Sequence, residues 1–360
     1  MATDHDNTLS KATTKNQLKP PPTIKNGWFT ETETFWPGQK FSLALEEFSS
    51  DSILFHAQSD FQQILVFQSA QYGTTLVLDG VIQLTERDEY SYHEMMTHIP
   101  LCSHANPRRV LIVGGGDGGI LREVCRHDCV QEIVMVEIDA LVIDVCRRYF
   151  GQSTAVAFDD PRVTIVHADA AQYLQQHHEA NYFDVILGDT SDPVGPAATL
   201  FQPAFYESMH AVLSNDGGII CMQAECFWIH LSLISDMIAC CADIFDTAEY
   251  ATTLVPTYPC GQIGFLLASK QQQQSVATPK RTTLRKPLRI PNFLSDLQWY
   301  SPRQHRAAFT LPPFVERELT PLQHNRNVTS LEDDDDYVDD ENDSKEYRCI
   351  LEHAPSCTLL

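Results

Sequence analysis

The chain has 360 residues, 43% hydrophobic and 20% charged, which is enough apolar material for one large core or two smaller ones. A formal net charge of −23 opposes association with nucleic acid or anionic membrane and favours cationic ligands. Apolar runs such as VLIVGGG and IGFLLA fall short of the roughly 18–20 residues of a membrane span, and the polar N-terminus lacks an export signal, so a soluble, cytoplasmic protein is expected. Residues 1–24, ending in Pro20-Pro21-Pro22, read as a disordered arm. From 25 to 88 a small β-sheet domain is expected. FSLALEEF, QQILVFQS, YGTTLVLDG and VIQLT are short, rich in β-branched and aromatic residues and separated by turn formers, which suits four strands of one antiparallel sheet. In SYHEMMTHIP, Tyr92, Met95, Met96 and Ile99 fall at helical spacing, and Pro100 is expected to end the helix.

From 109 onward strand and helix patterns alternate: RVLIV, ILREVCRH, EIVMVEID, ALVIDVCRRYF, VTIVHAD, AAQYLQQHH, FDVILGD, FYESMHAVL, GGIICMQAE and WIHLSLISDMIACCADIF. That alternation implies a parallel sheet covered on both faces. TAEYATTLVP and QIGFLLAS, joined by a short loop, add a hairpin with an antiparallel edge. The fold class is therefore α/β, and the strand count resembles the Rossmann-like seven-stranded sheet of the class I methyltransferase type, which is expected over 89–320, preceded by the small antiparallel domain. The stretch from 271 to 290 reads as an exposed loop. Residues 321–360 form an acidic tail: 331–348 hold 10 acids against 2 bases and read as disordered. Eleven cysteines without paired CxxC units read as reduced thiols. Cys125 and Cys129, His167, His177 and His178 are given no metal role, and no metal is expected.

In an open parallel sheet, ligands bind beyond the carboxyl ends of the strands. Here those ends carry Gly114 to Gly119 with Asp117, then Glu137 and Asp139, Asp169, Asp189 with Asp192, and Gln223 with Glu225. One acid at a strand end is usually a helix N-cap; so many converging on one edge favour a cationic ligand. The glycine loop satisfies G-x-G-x-x-G with Glu137 about 20 residues on, the dinucleotide fingerprint, which makes a nicotinamide oxidoreductase a rival. Against it, Asp117 inside the loop would repel a pyrophosphate by about 1–4 kcal/mol at 4 Å. A phosphate-free nucleoside with a cationic substituent fits better. Glu137 would accept from a ribose diol and Asp169 from an adenine amine.

The segments GWFTETETFWPGQKFSL (27–43), YGTTLVLDGVIQLTERDEYSYHEM (72–95), VLIVGGGDGGILREV (110–124), GDTSDPVGPAATLF (188–201), VPTYPCGQIGF (255–265) and HRAAFTLP (305–312) closely resemble the spermidine synthases, polyamine aminopropyltransferases. The resemblance implies transfer of an aminopropyl group from decarboxylated S-adenosylmethionine, a co-substrate, to putrescine, with no separate cofactor. It also implies a homodimer, or in some members a tetramer. By the same resemblance Asp189 is the proton acceptor, and Tyr92, Asp192 and Tyr258 contact putrescine, with Trp28 and Glu225 as further walls of the amine channel. Gln62, His93, Gly114, Gly116, Asp117, Glu137, Asp169 and Ala170 would hold the nucleoside. Three positions depart from the usual pattern: Ala170 stands where glycine is common, His93 where glutamine is frequent, and Gly188 where a larger residue is found. The loop 192–200 is read as a lid stiffened by Pro193 and Pro196.

The implied reaction is an in-line displacement in which methylthioadenosine leaves neutral, so the only proton to be moved is that of the attacking ammonium. An ordinary carboxylate near 4 is about 6 pH units below an amine near 10, a gap of roughly 8–9 kcal/mol, so Asp189 is expected in a dry site. Putrescine N-methylation from intact S-adenosylmethionine and a catalytically idle scaffold are the alternatives.

Overall fold

Strand β8 (Arg109–Gly114) alternates as the sequence pattern requires. Val110 and Ile112 enter one apolar cluster with Met95, Met96 and Ile99, while Leu111 and Val113 enter a second with Phe205, Tyr206 and Ile238. Both faces of the sheet are therefore covered. The computed structural model describes residues 21–32, 38–176, 179–191, 199–270 and 284–323, which fall in one compact unit. Residues 1–20 of the expected arm, His177 and His178, most of the 271–290 loop and nearly all of the acidic tail lie outside them; the arm's last residues, 21–24, do not read as an arm, because Ile24 enters a strand and packs with Phe29 and Leu43.

The main sheet adds β9 (Glu132–Val136), β10 (Val163–Val166), β11 (Val185–Asp189), β12 (Ile219–Gln223), β13 (Thr247–Leu254) and β14 (Gln262–Ser269). Their order is β10-β9-β8-β11-β12-β14-β13. The first five run parallel, and β14 is antiparallel to both neighbours. The antiparallel strand is thus inserted inside the sheet, and β13, not a reversed strand, forms the edge. Helices α1 (Glu89–Ser103), α2 (Gly119–Cys125), α3 (Ala140–Tyr149), α4 (Ala170–Gln176), α5 (Pro203–Val212) and α6 (Phe227–Ile244) flank the sheet, followed by α7 (Pro302–Ala307) and α8 (Pro313–Gln323).

The N-terminal region departs from the expected single sheet. β1 (Ile24–Lys25), β2 (Trp28–Thr30) and β3 (Ser42–Ala44) form one three-stranded sheet; β4 (Ile53–Gln58), β5 (Gln63–Ser69), β6 (Gly73–Leu78) and β7 (Val81–Thr85) form a four-stranded meander. FSLALEEF yields only three strand residues because Glu47 and Phe48 take positive φ and turn the chain. Strand β4, in ILFHAQ, takes the fourth place in the meander.

Helix α1 runs through Pro100 to Ser103. Proline removes one donor, but the Pro100 carbonyl still accepts from His104 N–H, and Ile99, Leu101 and Cys102 are fully buried; packing outweighs the local signal. Helix α6 has 18 residues of mean hydropathy 1.5, the length and composition of a membrane span, although His230, Asp236 and Asp243 break its apolar run. It lies against β13, β14 and α8.

Glu94 on α1 anchors the C-terminal segment. Its carboxylate accepts from the backbone N–H groups of Gln298, Trp299 and Tyr300 at 2.8, 2.8 and 2.7 Å. Glu94→Ala is expected to cost about 2–4 kcal/mol, because three N–H donors lose a charged acceptor. Urea unfolding should show this as a lower midpoint.

Candidate active site

The carboxyl ends of β8, β9, β11 and β12 open onto a cavity of about 230 Å³. Among the described residues its lining carries six carboxylates, Asp79, Asp117, Glu137, Asp169, Asp189 and Glu225, and no lysine or arginine. Acids in such excess in a part-enclosed site favour a cation.

Asp189 ends β11 opposite Gly114 of β8, and its backbone carbonyl accepts from Gly115 N–H at 3.2 Å. Tyr92 is 3% exposed, and its hydroxyl donates to Asp189 Oδ1 at 2.6 Å. Burial, and secondarily the charge of Asp117, push the Asp189 carboxyl up to about 6, although His93 and the Tyr92 hydrogen bond pull the other way. The Asp117 carboxyl is held below the usual range: burial raises it, but His93, the Gly119 N–H and Arg122 outweigh that. Asp117 Oδ1 accepts from Gly119 N–H at 2.6 Å. Burial pushes Glu137 up to about 7, opposed by the Asp139 N–H.

The expected nucleoside residues divide into two groups. Gln62, Gly114, Gly116, Asp117, Glu137, Asp169 and Ala170 all line the cavity. His93 does not: it is 2% exposed and stands behind Asp117, Nε2 3.3 Å from Oδ2, because α1 turns Tyr92 toward the cavity and its neighbour toward α2. Asp169 both lines the cavity and caps α4 through Gln172 N–H, so the cap and the site are one residue. Asp139 serves as cap of α3 and as an anchor for the β4–β5 turn, accepting from Ser59 Oγ at 2.7 Å and Gln62 Nε2 at 3.0 Å. It is a tie between the meander and the sheet and is absent from the cavity wall. Ala170 begins α4 and is not among the positive-φ residues, so glycine's freedom is not needed there.

On the expected amine side, Tyr92, Tyr258 and Glu225 line the cavity. The Tyr258 hydroxyl donates to Gln83 carbonyl at 2.8 Å, and its ring is 5.8 Å from that of Tyr92. Glu225 takes φ of +58°, a left-handed conformation held by bonds from Tyr250 Oη and Gly264 N–H to its carbonyl. Trp28 does not line the cavity; it sits on β2, 45% exposed, against Phe48. Asp192 and most of the expected lid, 192–198, lie outside the described residues. Gly188 has a physical reason: a Cβ there would meet the Sδ and Cε of Met222 at 2.2 Å, so glycine lets that thioether lie flat on β11.

Sequence reasoning missed Asp79, whose signal was the Asp79-Gly80 turn with both φ positive, and His230, whose Nδ1 is 3.3 Å from Glu225 Oε2. Two cavity-lining atoms, Gln223 Oε1 and Thr190 Oγ1, are buried without a hydrogen-bond partner.

Strand order, glycine loop and acid-lined cavity together define a Rossmann-like transferase of the class I methyltransferase type. Residues 89–278 match the family model described as the spermine/spermidine synthase domain, and 27–86 the one described as the spermidine synthase tetramerisation domain. The chain is 43% identical to spermidine synthase 2 of Arabidopsis thaliana, covering 88% of this chain and 93% of that protein. It is 44% identical to the spermine synthase of the same plant, covering 83% and 86%. A crystal structure of a spermidine synthase in complex with the transition state analogue AdoDATO superposes with a TM-score of 0.70 at 32% identity, covering 85% and 99%. The chain belongs to the spermine/spermidine synthase family.

Proposed function

We propose that the chain is a spermidine synthase: it moves the aminopropyl group of decarboxylated S-adenosylmethionine to putrescine, releasing 5′-methylthioadenosine, with Asp189 as the proton acceptor. The observation that carries this is the raised, buried Asp189 carboxyl bound to Tyr92 in a cavity whose other acids suit cations. Glu137 accepts from the ribose diol, Asp169 from the adenine amine, and Asp117 pairs with the aminopropyl ammonium. Gln223 Oε1, a buried acceptor without a donor, suits an amine N–H. No further cofactor takes part, and the enzyme works as a homodimer or tetramer through 27–86. The nine cysteines among the described residues are free thiols, which supports the cytoplasm.

Similarity to a spermine synthase favours one second reading, spermidine as the acceptor. Turnover with decarboxylated S-adenosylmethionine and either putrescine or spermidine separates the two. Faster reaction of spermidine overturns the acceptor, and N-methylputrescine formed from intact S-adenosylmethionine without aminopropyl transfer overturns the reaction.

The base must be ionised, so kcat/KM is expected to fall about tenfold per pH unit below about 6, where Asp189 protonates. On the other side it is expected to fall where free putrescine loses the positive charge by which the acid-lined cavity binds it. An acid limb near 4, the value of an ordinary aspartate, would show that burial does not raise the Asp189 carboxyl.

A further inference from the structure

Behind Asp117, α1 and α2 bury a line of alternating charges that the reaction as drawn does not use. His93 Nδ1 is 2.6 Å from Glu89 Oε2 and Nε2 3.3 Å from Asp117 Oδ2. Both ring nitrogens face carboxylate oxygens, and only the imidazolium has an N–H for each. Arg122 grips Glu89 with two bonds, Nη1 to Oε1 at 3.0 Å and Nη2 to Oε2 at 2.9 Å, a planar match that fixes the carboxylate. The imidazole lies where a side chain on Gly119 would be, since a Cβ there would come within 2.2 Å of it. The Tyr92 ring meets it edge-on at 5.5 Å.

We propose that Glu89 and Arg122 are positioning residues which hold His93 as a fixed imidazolium behind Asp117 and, through it, set the electrostatic balance felt by Asp189. The proposal rests on the reading of Asp189 as base and deepens it. His93 is faced by Glu89 and Tyr92 from α1 and by Asp117 from the glycine loop. Asp189 is faced by Tyr92, Asp117 and, beyond it, His93, with Glu137 at the end of β9, on the far side of β8. Asp117 raises the Asp189 carboxyl and His93 lowers it. Burial alone would strip the proton from His93, yet its two carboxylates hold the ring up to about 10. Without Glu89 the imidazole loses half of its clamp and gives up the proton. Asp117 then acts on Asp189 with only the Tyr92 hydrogen bond against it, and a higher pH is needed to ionise the base.

The direct test is nitrogen-15 NMR of histidine-labelled full-length protein, with the His93 signal assigned through His93→Gln. In the wild type the ring is expected to remain an imidazolium between about pH 6 and pH 8, whereas in Glu89→Gln it becomes neutral within that range. A wild-type ring that titrates near 6.5 overturns the proposal, and this readout does not depend on turnover or on any variant's activity. In kinetics, Glu89→Gln is expected to move the acid limb of kcat/KM upward by about half a pH unit or more, and His93→Gln by a similar amount. The double variant should show no further shift, because Glu89 acts through His93. Additive shifts would show that Glu89 acts by another route, and the proposal would fall. Full activity of Asp189→Asn would remove the base reading while leaving the NMR result to stand or fall by itself.

Discussion

Asp189→Asn is expected to slow aminopropyl transfer by about 10²–10⁴-fold, the range that a positioned general base contributes, with little change in thermal stability. Asparagine has the same shape, and its amide oxygen can still accept from the Tyr92 hydroxyl that now meets Oδ1. What it lacks is a place for the proton. A carboxyl raised to about 6 against an amine near 10.4 leaves a gap of about 6 kcal/mol, where an ordinary aspartate would leave nearly 9. Burial has therefore closed about a third of the difference before substrate enters, and desolvation of the bound ammonium narrows the rest by favouring its neutral form. Release of methylthioadenosine, followed in the steady state and in single turnover, measures the loss in the chemical step. Activity within tenfold of the wild type would assign the proton to another acceptor, such as solvent.

The main sheet was legible because its strands are short apolar runs, of which β8, β9 and β11 end at once in glycine or an acid. The same punctuation placed Asp117, Glu137, Asp169 and Asp189 on one edge. It could not separate their duties. Asp139 has the same sequence setting as Asp169, yet Asp139 is spent on Ser59 and Gln62, residues about 80 positions earlier whose approach no local pattern encodes. His93 sits next to Tyr92, and adjacent residues on a helix point about 100° apart; one reaches the cavity and the other is held behind Asp117. The Glu89–His93 spacing of four was visible, but the grip of Arg122 on Glu89 depends on how α2 lies across α1. Gly188 could be explained only with Met222 of the neighbouring strand in view.

Gly114→Ala is expected to cost about 2–4 kcal/mol of stability and to lower kcat by about 100-fold. Gly114 has φ of +77°, and an ideal Cβ would stand 2.1 Å from the backbone oxygen of Asp189. Left-handed backbone costs a non-glycine residue about 1–2 kcal/mol. The contact adds more, because the obstacle is a main-chain carbonyl in register with Gly114 and already bonded to Gly115 N–H, so no side chain can swing aside. The end of β11 must retreat by about 1 Å, and a misplacement of that size at the reacting group costs about 10²-fold. Gly116→Ala provides the contrast. Its Cβ would meet Val142 Cγ1 at 2.9 Å and Glu137 Oε2 at 3.0 Å, and its φ is not positive. Those are side-chain ends that can shift, and the one that shifts is the acid assigned to the ribose. The first variant should therefore lose kcat together with stability, and the second should raise KM for the nucleoside with kcat and stability nearly kept. Steady-state kinetics and thermal unfolding of the two variants together read the difference. If both lose only KM, Gly114 is not what holds Asp189 in place.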